Sequence, residues 1–595
     1  FIMNISSEKF KSQILLEFNQ GNKKKSLIKI KKFIKINPND INAKLDLAYM
    51  YINLNLIKRA ITQYRAILKK EKNIKAMFNL AMCFANQKKF NNCETLLKQI
   101  IQKDKNHFRS YVALGDIYFQ MDNLNKATKF LKIATKLKPN DLVIFNIMGV
   151  IEMKKHNYEI AKDYFLKCIK IDQNNKSALN NLAFLYQKIG QNNDSLEIIE
   201  NLLFKYPNDK NLLNNAGNIL IDLNRYVEAI KYIKKAIKID SKNSSFFSNL
   251  GRALFFSEKY TLSEKAIKKS LSLNLNNGEA HIIYFYLYII KKDLKNAWKH
   301  FDARINVKNY FIPKNLKLTL KRNNKKILIL REAGLGDEIL YSSMYPDLIK
   351  KNNKAIIECD SRLKNIFIRS FNYYNFISRS KNIKNKSNLD KFDSSIYAGS
   401  LSKIFRKNIS NFKYNSYLKP NLKYVEYYKK QLMQINTLPK IGISWISERL
   451  DLGKDKSISL EKLLPIFKKE NISFVNLQYG DFSKTIIDFN KKHNLNIIDI
   501  PQLDKFNDID KLLALISSLD LVLTVSNTTA HLSGSIGKKT LLLAPNNRAQ
   551  LFYWMLLKNN TPWYPSIKIF KKSVNWNEAI KNINQNIYKI LNQKK

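Results

Sequence analysis

The sequence predicts an α-helical repeat solenoid followed by an α/β region that is built as two lobes around parallel sheets. Three observations predict this order. Small residues recur every 33 or 34 residues from residue 26 to residue 297, the repetition stops after Tyr310, and short apolar runs then alternate with helical patterns. A fixed period of this length is the signature of a stacked repeat array. Alternation of strand and helix predicts βαβ units with a parallel sheet.

Two series of small residues carry the period. The first advances by 33 residues once and then by 34 five times, at Ala48, Ala81, Gly115, Gly149, Ala183, Gly217 and Gly251. The second has one step of 33 and otherwise steps of 34, at Ser26, Ala60, Cys93, Ala127, Ala161, Ser195, Ala229, Ser263 and Ala297. About nine units fit between Ser7 and Tyr310, so the pattern predicts nine pairs of antiparallel helices.

These two series resemble the tetratricopeptide repeat (TPR) family, in which small residues let helix A and helix B of each unit approach closely. The resemblance implies that residues 1–310 form a TPR superhelix in which each unit contacts its neighbours. It also implies a concave groove that binds a partner and carries out no chemistry of its own.

A series of asparagines sits two residues before the first small position, at Asn79, Asn181, Asn215 and Asn249. A side-chain amide offers both a donor and an acceptor, so such a ladder can pair with an extended polypeptide backbone without reading its sequence. The repeats of the protein O-linked N-acetylglucosamine transferases resemble this ladder. The alternative is that asparagine is simply common in this chain, and other residues stand at the equivalent Asp46, Ala113 and Ile147.

After Tyr310 we interpret residues 311–326 as a basic linker and residues 327–437 as a first lobe. This lobe opens with the strand Ile327–Leu330, a glycine loop at residues 331–338, a helix over residues 339–350 and a strand at residues 355–359. We interpret residues 438–595 as a second lobe with a C-terminal helix. Its predicted helix covers residues 508–519, and its predicted strands cover residues 440–445, 474–477, 496–499, 521–525 and 539–543, the last of which closes the sheet. Ligands of such sheets bind at the carboxyl ends of the strands.

Six stretches of this half occur in a specific order: LREAGLGDEILYSSMYPDL, ECDSRL, SWISERLDLGKDKSISLEKL, LQYGD, DLVLTVSNTTAHLSGSIGKKTLLLAP and TPWYPSIKIF. Together they resemble the glycosyltransferase domain that bacteria fuse to TPR arrays, and this domain is similar to the heptosyltransferases of glycosyltransferase family 9. The resemblance covers residues 327–570 and implies the GT-B fold, with two Rossmann-like lobes around a cleft. It also implies an inverting transferase that needs no metal and takes a nucleotide sugar as its substrate.

The resemblance also implies roles for particular residues. Asp337 occupies the place of the proposed catalytic base, although Pro346 follows it at a longer spacing than in the family. The donor would bind the second lobe and the glycine loop, at Gly336, Ser444, Lys456, Ser457, Asn527, Thr528, Thr529 and His531. Arg449 and Lys454 are looser candidates. Many relatives carry an Asp where this chain has Ser526, which puts the role of that position in doubt.

Each of these residues also has a structural interpretation. Asn527 or Thr528 could serve as the N-cap of the helix that follows the strand, a role compatible with donor binding. His531, on the first turn of that helix, could be a packing or capping residue. Trp563 and Tyr564 are interpreted as core and turn residues rather than as residues that stack on a sugar.

The charge balance is strongly basic, with 103 Lys and Arg against 48 Asp and Glu and a formal net charge of +55. Such a charge suits an acidic partner or a membrane surface. The lysines are spread along the chain, however, and the abundance of Lys, Asn and Ile is also what an A+T-rich genome produces. Since no nucleic-acid motif accompanies the charge, we expect no nucleic-acid partner. The four cysteines have no metal-ligand spacing, so we expect no metal site and a reduced, cytoplasmic protein.

The function that the sequence favours is a glycosyltransferase whose TPR groove holds a polypeptide acceptor. Some bacterial relatives of this kind modify flagellin, so a flagellin-like acceptor is one candidate. Two alternatives stay open. The chain could be a binding scaffold with an inactive or nucleotide-sensing GT-B domain, or a transferase for lipopolysaccharide or another lipid-linked glycan.

Overall fold

A computed structural model of the chain describes residues 2–308, 310, 316–317, 320, 326–378, 392–413, 416–448, 452–573 and 575–592. The chain forms two compact units, residues 1–185 and residues 186–595. The predicted linker at residues 311–326 lies mostly outside the described residues. The domain boundaries predicted on either side of it stay predictions.

The first unit is helical throughout its described residues. Its helices are α1 (Ile2–Asn19), α2 (Lys23–Ile36), α3 (Ile41–Asn53), α4 (Ile57–Lys70), α5 (Ile74–Asn86), α6 (Phe90–Lys103), α7 (Phe108–Gln120), α8 (Leu124–Leu137), α9 (Leu142–Lys154) and α10 (Tyr158–Ile171). The division between the two units falls within α11 (Lys176–Lys188).

The second unit continues the same alternation and then becomes mixed. Its repeat helices are α12 (Asn192–Lys205), α13 (Lys210–Asp222), α14 (Tyr226–Ile239), α15 (Ser244–Phe256), α16 (Tyr260–Leu273), α17 (Gly278–Ile290), α18 (Leu294–Phe301) and α19 (Arg304–Val307). The strands that follow are β1 (Ile327–Leu330), β2 (Ile356–Cys359), β3 (Phe376–Ser378), β4 (Ser394–Tyr397), β5 (Lys440–Ser444), β6 (Ser473–Asn476), β7 (Leu521–Val525), β8 (Thr540–Ala544) and β9 (Ile567–Lys571).

Eleven helices accompany these strands in the described residues. They are α20 (Leu335–Ser342), α21 (Tyr345–Lys351), α22 (Ser361–Phe371), α23 (Ser402–Phe405), α24 (Leu422–Ile435), α25 (Gly453–Lys456), α26 (Leu460–Phe467), α27 (Ser483–His493), α28 (Ile509–Ser518), α29 (Thr528–Ser535) and α30 (Asn577–Asn592). Short 3-10 helices cover Ala398–Leu401, Ile409–Asn411 and Phe552–Trp554.

The repeat helices begin and end by two local devices. Side-chain oxygens of Asp or Asn cap the first helix of many repeats, as when Asp209 accepts from the backbone N–H of Leu212 at 3.0 Å. That first helix then ends with one residue in the left-handed conformation, which turns the chain into the second helix. These residues recur with the repeat period at Asn55, Lys88, Asp122, His156, Gly190, Asn224, Glu258 and Lys292.

The small residues of both predicted series are buried where the sequence places them, one series on each helix of the pairs. Gly217 on α13 shows why the position must be small. A Cβ atom built there would lie 2.4 Å from Cγ1 of Ile233 on α14. Real Cβ atoms do not approach that closely, so the glycine sets the separation of the two helices.

The α/β region contains two parallel sheets, as predicted. The first has the strand order β3-β2-β1-β4 and the second has the order β6-β5-β7-β8-β9. Every recorded strand pair in both sheets is parallel, so all the carboxyl ends of a sheet lie along one edge.

Several predicted elements differ from the observed ones. The helix predicted over residues 339–350 is two helices, because Pro346 has no N–H to donate and a new helix, α21, begins there. Residues 496–499 form only an isolated bridge between Ile498 and Val475. The strand predicted to close the second sheet, β8, is followed by β9, which pairs with it and takes the edge position.

A buried ion pair joins the end of the repeats to the first sheet. Arg304 on α19 donates two hydrogen bonds to Glu332, which follows β1, over 2.8 Å from Nε and 2.6 Å from Nη2. Both side chains are nearly inaccessible, with 4% and 1% of their surfaces exposed. Glu332 also accepts from the backbone N–H of Gly399. Burial opposes the charge of Arg304, but Glu332 raises the pKa of the guanidinium above its usual value.

Aromatic packing joins the same repeats to the second sheet. The ring of Phe552 lies 5.2 Å from that of Phe285 on α17 and 5.5 Å from that of Phe301 on α18. Trp298 completes the cluster and donates its indole N–H to the carbonyl of Arg406 at 2.6 Å. Within the described residues, no helix has the length and apolar character needed to cross a membrane.

We predict that Arg304→Met destabilises the second unit by about 3–5 kcal/mol, because it leaves the carboxylate of Glu332 buried without its cation. Urea unfolding monitored by far-UV circular dichroism would measure the loss. The double variant Arg304→Met with Glu332→Leu should recover much of it, since it removes both charges. A loss below about 1 kcal/mol in the single variant, the range of an exposed ion pair, would contradict a buried pair.

Candidate functional site

A cleft of about 360 Å³ lies between the two lobes, within the ~300–1,000 Å³ typical of ligand pockets. The first lobe contributes Leu335 and Arg362. The second lobe contributes the rest of the lining, which is Glu448, Tyr479, Lys505, Phe506, Ile509, Leu512, Thr528 and Thr529. Of the predicted donor residues, Thr528 and Thr529 therefore line the cleft.

The N-terminus of α29 faces this cleft at the carboxyl end of β7. Helix N-termini carry partial positive charge and attract anions. Thr529, on the first turn, is 1% exposed, and its Oγ1 has no hydrogen-bond partner within the described part of the chain. Buried hydroxyls normally find a partner, so this one leaves hydrogen-bonding capacity unused at the wall of the cleft.

Asn527 is a structural cap in this structure. Its Oδ1 accepts from the N–H of Thr529 at 3.1 Å and from the hydroxyl of Thr524 at 3.0 Å. Its Nδ2 donates to the Oγ of Ser444 at 2.7 Å and to the carbonyl of Ile446 at 3.1 Å. Both ends of the amide are thus used to join β7, α29 and the end of β5.

Ser444 belongs to the same network and is buried in it. Its hydroxyl donates to Oε1 of Gln478 at 3.0 Å, and that oxygen also accepts from the backbone N–H groups of Trp445 and Ile446. Gln478 fixes the chain where it leaves β5, and the sequence interpretation missed it. The quoted stretch LQYGD contains this residue, but a lone glutamine has no spacing that marks it.

The loop after Trp445 is held by Ser457, whose hydroxyl donates to the carbonyl of Gly453 at 2.7 Å and accepts from the N–H of Ser447 at 2.9 Å. Ser457 is therefore committed to the loop. Lys456, beside it, is 4% exposed and acts electrostatically on His531. Arg449 lies outside the described residues.

The turn that carries Lys456 is also tied to the repeats. Arg548 lies 3.3 Å from Asp455 on α25 and 3.0 Å from Asp222 at the end of α13. Asn547 donates to the same Asp455 at 3.2 Å. Sequence reasoning missed this bridge, because 326 residues separate Arg548 from Asp222.

His531 is a packing residue between the two lobes. Its Nδ1 is hydrogen-bonded to the hydroxyl of Tyr564 at 2.9 Å, and burial together with the charge of Lys456 lowers its pKa to about 3. The neutral ring lies against Gly336 on α20, where an added Cβ would be 2.6 Å from the ring carbon Cδ2. Gly336 and His531 thus set how closely α20 approaches α29.

Asp337 lies half-buried at the third position of α20, near the N–H of Gly334 at 3.4 Å. It does not line the cleft, although Leu335 on the same turn does. Burial is the main cause of the raised pKa of Tyr341, and the carboxylates of Glu332 and Asp337 add to it. Asp337 is thus close to Tyr341 and, through Gly336, to the contact between α20 and α29.

Glu338, the next residue on α20, is a buried carboxyl with a raised pKa. It is buried, lies 2.6 Å from Nη2 of Arg331, and accepts from the N–H of Asp360 at 2.8 Å. Burial raises its pKa to about 7, against the opposing effects of Arg331 and the Asp360 N–H. These contacts place Glu338 in the packing of α20 against β2.

Two residues of the predicted asparagine ladder pair with asparagines outside it. Asn181 donates to Asn146 at 2.8 Å, and Asn249 donates to Asn214 at 2.9 Å. Each bond joins two neighbouring repeats. Asn215 is half-buried. Asn79 lies close to the hydroxyl of Tyr64 and also lines a cavity of about 560 Å³ in the first compact unit, together with Asp46, Lys75 and Arg109.

Comparison with known proteins identifies the repeats. Residues 37–216 match the family model described as the tetratricopeptide repeat protein 21 C-terminal ARM domain, and residues 211–243 match the tetratricopeptide repeat model. The array is a TPR solenoid. This confirms the repeat prediction, and arrays of this kind mediate protein interactions. Both matches end before residue 244, so they do not describe the α/β region.

Two curated relatives and one solved structure are similar to parts of the chain. Protein FlbA of Caulobacter vibrioides is 28% identical over 261 residues, which cover 41% of this chain and 43% of FlbA. Protein O-mannosyl-transferase TMTC3 of Homo sapiens is 26% identical over 174 residues, which cover 26% of this chain and 19% of TMTC3. The chain thus spans less than half the length of these curated relatives. A tetratricopeptide repeat protein from Parabacteroides merdae aligns with a TM-score of 0.36 at 15% identity, covering 41% of this chain and 96% of that one.

We predict that Glu338 makes stability depend on pH in a defined direction. Its folded-state pKa of about 7 lies above the usual 4.5, so the folded state binds the proton more tightly. This contribution to stability is fully present below about pH 4.5 and is lost as the pH rises through about 7. Glu338→Gln removes the titration, so the stability of the native chain relative to this variant should fall across that window.

Urea unfolding of both proteins over the same pH range would measure the difference. Glu426→Gln, an exposed glutamate on α24, is the control and should show no such trend. A stability difference that stays constant, or that grows with rising pH, would show that burial does not raise the pKa of the Glu338 carboxyl.

Proposed function

We propose that the α/β region is a GT-B glycosyltransferase of the family 9 kind. In this proposal it transfers a sugar from a nucleotide-sugar donor, with inversion and without a metal ion, to a polypeptide held by the TPR array. The observation that carries the proposal is the hydroxyl of Thr529, unpartnered and buried at the N-terminus of α29, in a cleft between two parallel α/β lobes.

The lining of the cleft suits a nucleotide. Tyr479, Phe506, Ile509 and Leu512 offer the aromatic and apolar surface that a base requires, and Glu448 can accept from ribose hydroxyls. The N-terminus of α29 and the hydroxyl of Thr529 offer positive potential and a donor to the diphosphate. The cleft thus presents suitable chemistry for the base, the ribose and the diphosphate of the donor in one continuous space.

The chemical step needs a base and a stabilised leaving group. In the proposed reaction an acceptor hydroxyl attacks the anomeric carbon while the bond from that carbon to the diphosphate oxygen breaks. The hydroxyl proton passes to the carboxylate of Asp337, and the nucleoside diphosphate leaves with the bonding electrons. Lys456 and the N–H groups at the start of α29 would stabilise its negative charge. Asp337 and Lys456 both adjoin the α20–α29 contact, since His531 touches Gly336 and experiences the charge of Lys456.

The acceptor assignment rests on the repeats. TPR arrays bind polypeptides in extended grooves, and the last repeats here pack directly on both lobes through Arg304 and Phe552. The partial relative TMTC3 is by its name also a protein sugar transferase. A polypeptide is therefore the acceptor that we propose, and a flagellin-like protein is one candidate.

A second function, a binding scaffold without transferase activity, is favoured by one observation. Ser526 stands where many family 9 relatives have an Asp. Its hydroxyl accepts a hydrogen bond from the indole N–H of Trp554 at 2.9 Å, so the position is built into the core of the second lobe. If that missing carboxylate is essential, the cleft would bind a nucleotide sugar without turning it over.

We predict that Asp337→Asn lowers sugar transfer by about 10²–10⁴-fold, because the amide keeps the shape of the carboxylate and loses its basicity. Donor affinity should stay within about twofold, since the proposed base does not hold the diphosphate. Release of nucleoside diphosphate from a panel of nucleotide sugars, with and without a polypeptide acceptor, would measure turnover.

Asp488→Asn, an exposed aspartate on α27, is the matched control and should transfer sugar at the native rate. Full activity in Asp337→Asn would show that the base is elsewhere. A native chain that binds a nucleotide sugar but releases no diphosphate from it would favour the scaffold. Transfer to a lipid-linked glycan and not to a polypeptide would overturn the acceptor assignment.

A further inference from the structure

A second cavity lies outside the cleft, between the last repeats and the second lobe. Its volume is about 640 Å³. Glu258 and Tyr260, at the turn from α15 to α16, form one wall, and β9 with one face of α30 forms another. We call this cavity the β9 crevice. It runs along β9 from Lys568 to Lys571 and reaches Asn546, just after β8.

The unsatisfied polar groups of the β9 crevice are hydrogen-bond donors. Gln550 is 7% exposed, and its Nε2 has no partner in the described residues. Lys571, at the end of β9, is half-buried, and burial lowers its pKa, although the carboxylate of Glu258 opposes this. Across the residues that the structure describes, no hydrogen bond or ion pair is recorded for its ammonium.

Two exposed lysines of the lining, Lys558 and Lys568, likewise have no recorded ion pair with the described residues. Three ammonium groups therefore face two carboxylates, those of Glu258 and Glu578. A buried donor without an acceptor costs about 1–3 kcal/mol, so an acceptor bound beside Gln550 would be favourable. A ligand that supplies several anionic oxygens would provide that acceptor and would pair with the three ammonium groups.

We propose that the β9 crevice binds an acidic segment of a polypeptide partner, with its Asp or Glu carboxylates on Lys558, Lys568 and Lys571. Gln550 donates a further hydrogen bond inside the crevice. This site lies outside the cleft, and its binding of an acidic segment does not depend on whether the cleft transfers a sugar.

Several features of the β9 crevice favour a polypeptide over a small oxyanion. The donors are spread over a space of 640 Å³. The helix N-termini in the lining, those of α16 at Tyr260 and of α30 at Glu578, lie beside the carboxylates of Glu258 and Glu578, which repel a small anion. The remaining lining contains the carboxamides of Asn546, Asn559, Asn582 and Asn586, which can both donate to and accept from a peptide backbone. One wall also belongs to the TPR array, and the net charge of +55 attracts acidic chains.

Fluorescence anisotropy of the full chain with a labelled peptide of alternating Glu and Gly would test this, at low ionic strength and without any nucleotide sugar. The matched peptide with Gln at every Glu, and inorganic phosphate as a competitor, are the other two probes. We expect the acidic peptide to bind and Lys571→Gln to weaken it by about ten- to a hundredfold, the range for a charged hydrogen bond. Gln550→Leu should weaken it by about three- to tenfold.

Lys581→Gln is the matched control, because Lys581 is an exposed lysine on α30 that does not line the crevice. The double variant Lys558→Gln with Lys568→Gln changes only exposed side chains. It therefore tests the proposal even if a substitution of a buried residue disturbs folding. Equal affinity of this double variant and the native chain would overturn the proposal. Equal affinity for the Gln peptide and the acidic peptide would also overturn it. So would binding of phosphate that depends on the same lysines and that the acidic peptide does not displace.

Discussion

The buried pair of Arg304 and Glu332 is the interaction on which the arrangement of the second unit depends. Arg304 ends the repeats, and Glu332 begins the loop that leads from β1 into α20. The same carboxylate accepts from the N–H of Gly399 after β4, so one residue ties the repeats to two strands of the first sheet. A buried ion pair is costly unless its geometry is good, and here two hydrogen bonds and full burial fix the direction in which α20 leaves β1. This contact therefore positions every residue of α20 that is assigned to the site.

Much of the fold could be predicted from the sequence because it follows from repetition. A small residue is required where the two helices of a repeat touch, as at Gly217 and Ala229, and the same requirement returns every 34 residues. The left-handed turns recur with the same period, yet no pattern marked them, since residues as different as Lys88 and His156 adopt that conformation. Most of these turns adopt the left-handed conformation without a glycine, so the composition of the sequence could not reveal them.

The site was predicted by segment and less well by side chain. The segments around Lys456 and residues 526–531 do meet near the cleft, because strands of one parallel sheet end along one edge. Asn527, Ser457 and His531 could not be sorted by sequence into binding or structural residues, since a cap and a ligand donor use the same atoms. The structure uses these three in the fold and leaves the hydroxyl of Thr529 without a partner in the described residues. Gln478 was missed, and so was the bridge from Arg548 to Asp222, because their partners are far away in the chain.

We propose that the cleft between the lobes takes a nucleotide sugar on the N-terminus of α29. Native mass spectrometry of the full chain against a panel of UDP-, GDP-, ADP-, CMP- and dTDP-linked sugars is the sharpest test of this proposal. We expect one-to-one binding of a member of this panel, and weaker binding in Thr529→Val than in the exposed control Thr485→Val. Failure of every member to bind the native chain, or equal binding by both variants, would contradict it.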